Sequence, residues 1–393
     1  MKIAILGFGT VGSGVYDILS NQTSPLLANI KTAKILIRKG KEKKLPIMTD
    51  SIEEIVSDPE ISLVVESMGG LTPAYEYIKM ALTHKKHVVT ANKAVIAANI
   101  EEFEKLAREN GVFLSFEAST AGGIPWIASV EKARRIDAIT KFYGILNGTT
   151  NYILDSMDES GADFAEALAK AQELGYAEAD PAADIDGIDV RNKVVISCAI
   201  AFNSVIDAAR FPCFGIRNVT KTDFDYFKKD QCTIRLIGEA ERVGDRYEAF
   251  VMPNSFHRDA MEATVRRNLN IVTLYGSTIG ELKFYGQGAG KFPTANAVIQ
   301  DILDIYSHKT EYTIDAGKKI GYDDALRKNR YVIRTKQRFD DPSFHTIDKF
   351  QDCYYHKTGE ITIRQMMELV SRAKALDDRC FIIKEANFQG EKC

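Results

Sequence analysis

Asp189 and Lys193 stand four residues apart, on one face of a predicted helix that continues as Val194-Val195-Ile196-Ser197-Cys198-Ala199-Ile200-Ala201-Phe202. That run is apolar on nearly every side, so the helix is expected to be buried. Just ahead of it, Glu178, Asp180, Asp184 and Asp186 concentrate acids in the stretch GYAEADPAADIDGIDVRNK, residues 175–193. Charges at the entry of a buried helix are costly unless they face partners or a wet cleft, so the segment reads as one wall of a polar pocket. An acid and an ammonium held together there are the ingredients of proton-transfer chemistry. The competing reading is an ordinary i,i+4 ion pair, worth about 0.2–0.5 kcal/mol on a helix surface. The rest of the chain has to decide between them.

Lys2-Ile3-Ala4-Ile5-Leu6 is strand-like, Gly7-Phe8-Gly9-Thr10-Val11-Gly12 follows, and Val11, Val15, Ile18 and Leu19 recur at the spacing of one helix face. This is the strand, turn and helix context of a dinucleotide-binding GxGxxG. Gly7 permits the tight turn, Gly9 lets a pyrophosphate approach the backbone, and Gly12 lets helix and strand pack closely. Thr10 and Val11 open the helix whose N-terminus faces the phosphates. A second strand, 33–37, ends in Arg38 and Lys39, where an acid for the ribose 2′-hydroxyl is usual in NAD-specific proteins. Two cations suit a 2′-phosphate, so NADP is expected over NAD; a solvated basic loop with Lys41, Lys43 and Lys44 is the alternative. Strands 63–66 and 87–90 run into Ser67-Met68-Gly69-Gly70 and Ala91-Asn92-Lys93, turns at the edge where open α/β sheets bind ligands, so Lys93 is expected at the cofactor crevice. A further strand, 141–146, leads to Asn147-Gly148-Thr149-Thr150-Asn151. Amides beside Gly148 and the two hydroxyls suit a carboxylate, or Thr149 or Thr150 simply caps the next helix.

Composition narrows the partners. At 393 residues more than one core is expected, and a net charge of −3 gives no broad basic field for nucleic acid or anionic membrane. Six cysteines (198, 213, 232, 353, 380, 393) without CxxC spacing argue for reduced thiols, and six histidines show no metal-ligand spacing. The first residues are too short an apolar run for a secretory signal, and no span is long enough to cross a bilayer. A cytoplasmic protein with a small-molecule substrate is the expectation.

Together the blocks GFGTVG, ESMGGLTPA (66–74), VVTANKA (88–94), EASTAGGIP (117–125), GILNGTTNYIL (144–154), GYAEADP, DVRNK and GQGAGKFPTANAV (286–298) resemble the homoserine dehydrogenase family from residue 1 to about 308. The resemblance implies reversible NAD(P)-dependent reduction of L-aspartate 4-semialdehyde to L-homoserine. It implies that Lys193 protonates the carbonyl oxygen, that Asp189 orients substrate, and that Lys93 sits beside cofactor and carbonyl. Glu178 would hold the substrate's α-ammonium, Gly148 and Thr149 would line the substrate site, and Asp184 would add a hydrogen bond. The oxygens of Glu117, Thr120, Gly122 and Ile124 would surround a monovalent cation such as Na+. Gly288 and Gly290 would border the cofactor, ahead of a helix with the stripe Val298, Ile302, Ile305 that returns to the dinucleotide domain.

The expected fold is α/β: a Rossmann-type doubly wound parallel sheet in 1–135 with 291–308 returning to it, and a second α+β catalytic and dimerisation domain in 136–290. Within the latter, alternating segments near 233–237 and 247–251 suggest an antiparallel sheet that pairs subunits into a homodimer or higher oligomer. Residues 309–393 read as a small ACT-like α+β module of order βαββαβ. Its elements are strands near 331–334, 353–356, 360–363 and 380–384, a short helix at 342–350, and a helix stripe from Met366 to Leu376 with a capping box at Thr362 and Gln365. Asp340-Asp341-Pro342-Ser343 replaces the glycine expected after its first strand, so a structural or dimerising tail competes with threonine feedback. Two other functions compete for the whole chain. A semialdehyde dehydrogenase working through a thioester needs an activated cysteine, and a non-catalytic NADP-binding amino-acid sensor has no need of Lys93, Asp189 and Lys193.

Overall fold

The computed structural model describes residues 1–21, 24–310 and 320–385; Cys393 lies outside them. The chain divides into two compact units, one comprising Met1–Ile136, Val195–Val205 and Gly286–Lys318, the other Asp137–Val194, Ile206–Tyr285 and Lys319–Cys393. Among the described residues no helix is long and apolar enough to cross a membrane.

The first unit is built on six strands: β1 (Lys2–Leu6), β2 (Lys31–Leu36), β3 (Met48–Thr49), β4 (Ile61–Glu66), β5 (His87–Thr90) and β6 (Leu114–Ser115). All pair parallel, in the order β3-β2-β1-β4-β5-β6. Ile3, Ala4, Ile5 and Leu6 are each fully buried, as are Leu63, Val64 and Val65. Continuous apolar runs of this kind belong to parallel strands covered on both faces. The strand order reverses at β1, which places the switch-point crevice at the turn after Leu6, where the glycines begin. Helix Thr10–Asn21 leaves that turn, and helix Lys291–Tyr306 lies against it so closely that a Cβ on Gly14 would come within 2.9 Å of the Lys291 carbonyl. Val298, Ile302 and Ile305 are buried in the same core as Ile3 and Ile5, as the helix stripe predicts.

The second unit holds β7 (Ile139–Ile145), β8 (Cys232–Val243), β9 (Arg246–His257), β10 (Leu269–Gly276), β11 (Gly280–Gln287), β12 (Gly321–Tyr322), β13 (Lys328–Asn329), β14 (Tyr331–Thr335), β15 (Phe344–Phe350), β16 (Cys353–Thr358), β17 (Ile361–Thr362) and β18 (Phe381–Glu385). The main sheet runs β11-β10-β7-β8-β9-β18-β14-β16-β15, with β12 also on β9, while β13 and β17 form a separate pair. The antiparallel sheet expected around 233–251 is the β8–β9 hairpin, turned by Gly244 at φ +63 and in register from Cys232↔His257 to Val243↔Arg246.

The C-terminal strands continue this sheet: β18 pairs parallel with β9, Lys384 opposite Asn254. The capping box at Thr362 and Gln365 opens helix Ile363–Leu376 as expected, with Met366, Leu369, Val370 and Ala373 buried. The short helix expected at 342–350 is instead the strand β15, which pairs antiparallel with β16 through a tight turn at Gln351. Partners distant in sequence decide this segment. The far face of β14 and β16 is occupied by helix Lys221–Lys228, whose Tyr226 stacks on Tyr355 at 3.7 Å between ring centres and whose buried Asp223 accepts from Arg334 Nε (3.2 Å) and the Tyr355 hydroxyl (3.0 Å). A second buried knot joins β7, β8 and β18. Burial would raise the carboxyl of Glu239, but the ammonium groups of Lys141 (3.0 Å) and Lys384 (2.8 Å) outweigh it and hold that carboxyl at about 2.

Candidate active site

The dinucleotide cradle follows from the glycines of the first unit. Gly7 has φ +94, a region that favours glycine, and its amide donates to the Leu36 carbonyl at 3.0 Å. A Cβ on Gly12 would lie 2.1 Å from the Gly7 carbonyl oxygen, so helix and strand meet at backbone contact. A Cβ on Gly9 would meet nothing within 4 Å, which leaves open space over the turn. The first i→i−4 bond of the helix is Ser13 to Gly9, so the amides of Thr10, Val11 and Gly12 precede its hydrogen-bond ladder and suit a phosphate. Arg38 and Lys39 are exposed just beyond β2, in a turn closed by the Lys41 amide on the Arg38 carbonyl (3.1 Å).

Lys93 begins helix Lys93–Asn110 at the carboxyl end of β5, capped by Asn92. Behind it lies a network that the sequence reading missed. Buried Glu66 accepts from Thr90 Oγ1 (2.5 Å) and the Met68 amide (2.8 Å), and Asn92 Nδ2 donates to the Gly70 carbonyl (2.7 Å). These bonds tie the turns after β4 and β5 together, while burial raises the Glu66 carboxyl. The available signal was an acid closing the apolar run Leu63-Val64-Val65.

Gly122, at φ +57, packs against the turn at Gly288, where a Cβ would sit 2.3 Å from the Gly288 carbonyl oxygen. Gly290, at φ +126, is the N-cap of helix Lys291–Tyr306. The Glu117 side chain is committed elsewhere: its two oxygens accept the amides of Ile127 (2.9 Å) and Ala128 (2.7 Å), capping helix Trp126–Arg134, and its own amide donates to Asp301 (3.0 Å). Burial, reinforced by the charge of Glu131, pushes the Glu117 carboxyl up to about 7. With the Glu117 carboxyl so used, the oxygens left to a cation at these four residues are the backbone carbonyls and the Thr120 hydroxyl, which lies 3.5 Å from Ser119 Oγ. That donor set fits a hard monovalent ion, and among the described residues no three His, Cys, Asp or Glu side chains form a metal cluster.

The first turns of helix Ile188–Phe202, which belong to the second unit, carry Asp189 and Lys193, 5% and 7% exposed. The apolar run after them is buried throughout, as expected. Lys193 Nζ lies 2.9 Å from Asp189 Oδ2 and donates to the Leu146 carbonyl at 2.6 Å. Asn147 Nδ2 donates to both Asp189 Oδ2 (2.9 Å) and Asp184 Oδ1 (2.7 Å). The structure thus gathers Asp184, Asp189 and Lys193 at the end of β7, and neither a solvated i,i+4 pair nor a surface acid run describes them.

Thr149 and Thr150 do not cap the following helix, Gly148–Ser160. Asn147 does, accepting the Thr150 amide at 2.8 Å. Thr149 Oγ1 instead donates to the Tyr176 carbonyl (2.6 Å), and Gly148 is required because a Cβ would lie 2.6 Å from the Asn268 carbonyl oxygen. Glu178 is exposed on the adjoining loop, where its carbonyl accepts from Gln172. The five described cysteines form no disulfide, and burial pushes each thiol up, Cys213 to about 11. None is an activated nucleophile, which removes the support for thioester chemistry.

Comparison with known proteins shows the family. The family model described as homoserine dehydrogenase matches residues 125–303, and that described as the homoserine dehydrogenase NAD binding domain matches residues 7–117. The homoserine dehydrogenase of Synechocystis sp. is 43% identical over 316 residues, covering 78% of this chain and 73% of that protein. The Bacillus subtilis homoserine dehydrogenase is 38% identical over 314 residues, covering 78% and 72%. Among solved structures, a homoserine dehydrogenase from Thiobacillus denitrificans superposes with a TM-score of 0.88 at 30% identity, covering 98% of both chains. A hyperthermophilic archaeal homoserine dehydrogenase in complex with NADPH gives a TM-score of 0.69 at 25% identity, covering 79% of this chain and 99% of that one. The chain belongs to the homoserine dehydrogenase family.

Proposed function

We propose that Lys193 is the proton donor in the NAD(P)H-dependent, reversible reduction of L-aspartate 4-semialdehyde to L-homoserine, a step of threonine and methionine biosynthesis. A nicotinamide held by the glycine turns of the first unit would supply the hydride for the new C–H bond at the aldehyde carbon. As the carbonyl π bond opens, negative charge grows on oxygen, and the Lys193 ammonium stabilises it and transfers a proton from Nζ. The observation that carries this role is a buried ammonium fixed on two sides, by Asp189 and by the Leu146 carbonyl. An ammonium held this way loses little freedom when the transition state forms. In the reverse direction the same nitrogen takes the hydroxyl proton of homoserine.

Asp184 and Asp189, with Glu178 on the exposed loop, supply counter-charge for the substrate's α-ammonium. Gly148 and Thr149 bring helix N-terminal donors toward its carboxylate. Lys93 assists at the cofactor and carbonyl. Gly7, Gly9, Thr10, Val11, Gly12, Gly288 and Gly290 hold the dinucleotide, and Arg38 with Lys39 favour NADP over NAD by binding the 2′-phosphate. Backbone oxygens of Glu117, Thr120, Gly122 and Ile124 hold a monovalent cation such as Na+. The reading includes a cytoplasmic location and a homodimer or higher assembly; sedimentation showing only a single-chain species at micromolar concentration would contradict the latter.

A non-catalytic sensor is disfavoured by the retention of a buried ammonium between two acceptors, which binding alone does not need. The test is turnover in both directions, with aspartate semialdehyde plus NADPH or NADH and with homoserine plus NADP+ or NAD+. Oxidation of NADPH that requires the semialdehyde supports the reading. Cofactor binding without turnover in either direction overturns it.

A further inference from the structure

Asn147 is 5% exposed, and its amide makes three hydrogen bonds that leave one possible orientation. Its Oδ1 meets the Thr150 amide, a donor, so Nδ2 must face the acids, and both Nδ2 hydrogens are used by Asp184 and Asp189. Reversing the amide would set an oxygen against two carboxylates and an NH2 against an N–H. Asp189 Oδ2 receives Asn147 and Lys193 together, while the residue before Asn147 offers its carbonyl to the same ammonium. Residue 146 therefore grips the ammonium directly, and residue 147 grips its counter-ion.

We propose that Asn147 is a positioning residue for the proton donor, its amide allowing Asp184 and Asp189 to remain ionised side by side so that Asp189 holds the Lys193 ammonium in place. The proposal rests on the reading of Lys193 given above. Two carboxylates that share a site disfavour each other's charge, and donors aimed at both offset that repulsion. The titratable groups facing the amide are Asp184, from the turn Ala182–Ile185, and Asp189, with Lys193 beyond it, from helix Ile188–Phe202. The helix that Asn147 caps has no acid in its first turn, and the segment approaching Gly148 presents the Asn268 carbonyl.

Asn147→Asp separates capping from charge support. Aspartate caps as well as asparagine does, so the Thr150 amide keeps its acceptor, while the two donors give way to a third carboxylate. At pH 7, kcat for semialdehyde reduction is expected to fall by about tenfold or more, with the KM for NADPH within about twofold. The acid limb of the kcat–pH profile is expected to move up by about one unit, since one of three adjacent carboxyls must retain a proton. Asn147→Ser keeps a cap, removes the donors and adds no charge. It is expected to lose kcat with a smaller displacement of the limb, and it decides the matter if Asn147→Asp does not fold. Wild-type kcat and pH profile in the folded variants would reduce Asn147 to a helix cap and overturn the proposal. Lys193→Ala in the same assay keeps the two readings apart. A fully active Lys193→Ala enzyme defeats the donor role itself, whereas an inactive one alongside unaffected Asn147 variants defeats only the present inference.

Discussion

Replacing Glu117 by glutamine should cross two stability curves. Glu117 is 6% exposed, and burial, with the charge of Glu131, lifts its carboxyl from 4.5 to about 7. Because the folded-state value lies above the unfolded one, the folded protein binds the proton more tightly. The group's contribution to stability is fully present below pH 4.5 and is lost as pH rises through 7. At about 1.4 kcal/mol per pH unit that window is worth roughly 3 kcal/mol. Asp301, whose carboxyl burial and the charge of Glu117 also raise, adds to the loss with the same sign. Glutamine does not titrate, but it offers one acceptor oxygen to the amides of Ile127 and Ala128, which now have two. The lost acceptor costs about 1–2 kcal/mol at any pH.

Urea unfolding of wild type and Glu117→Gln at pH 5 and pH 8 reads both effects. The variant should be less stable by about 1–2 kcal/mol at pH 5, and equal to or more stable than wild type by about 1–2 kcal/mol at pH 8. A gap of the same size and sign at both pH values would refute the argument that burial dominates this carboxyl.

Two other outcomes are expected. Arg38→Ala should lower kcat/KM with NADPH by about tenfold to a hundredfold, the worth of one charged phosphate contact, and leave kcat/KM with NADH nearly unchanged in parallel steady-state assays. Asp223→Ala should cost about 3–5 kcal/mol in denaturant titration, because it strips the carboxylate from Arg334, which is 2% exposed and keeps only the carbonyls of Arg379 and Asn218.

The cofactor cradle was legible in the sequence because its chemistry is local. Each glycine of GFGTVG answers to a separate demand within six residues, and the 2.1 Å approach of Gly12 to the Gly7 carbonyl is the demand that the motif encodes. Asp189 and Lys193 were legible for the same reason: the spacing that puts them on one helical face also puts them 2.9 Å apart. Asn147 was not, because its partners lie 37 and 42 residues away and nothing nearby distinguishes it from an ordinary turn residue. Glu66 escaped notice as a strand end for a similar reason. The segment 342–350 was misread as helix because so short a stretch carries no decisive period; the pairing of 344–350 with β16 and the helix packed on the other face set its conformation. The Thiobacillus denitrificans structure covers 98% of the chain, against the 78% matched by the Synechocystis sp. relative.

NADPH oxidation with aspartate semialdehyde, by wild type beside Lys193→Ala, decides whether the ammonium of Lys193 protonates the substrate oxygen. The variant is expected to lose kcat by about a hundredfold to ten-thousandfold, the range for removing a general acid, with the Kd for NADPH nearly unchanged. A Lys193→Ala enzyme that turns over at the wild-type rate would contradict it.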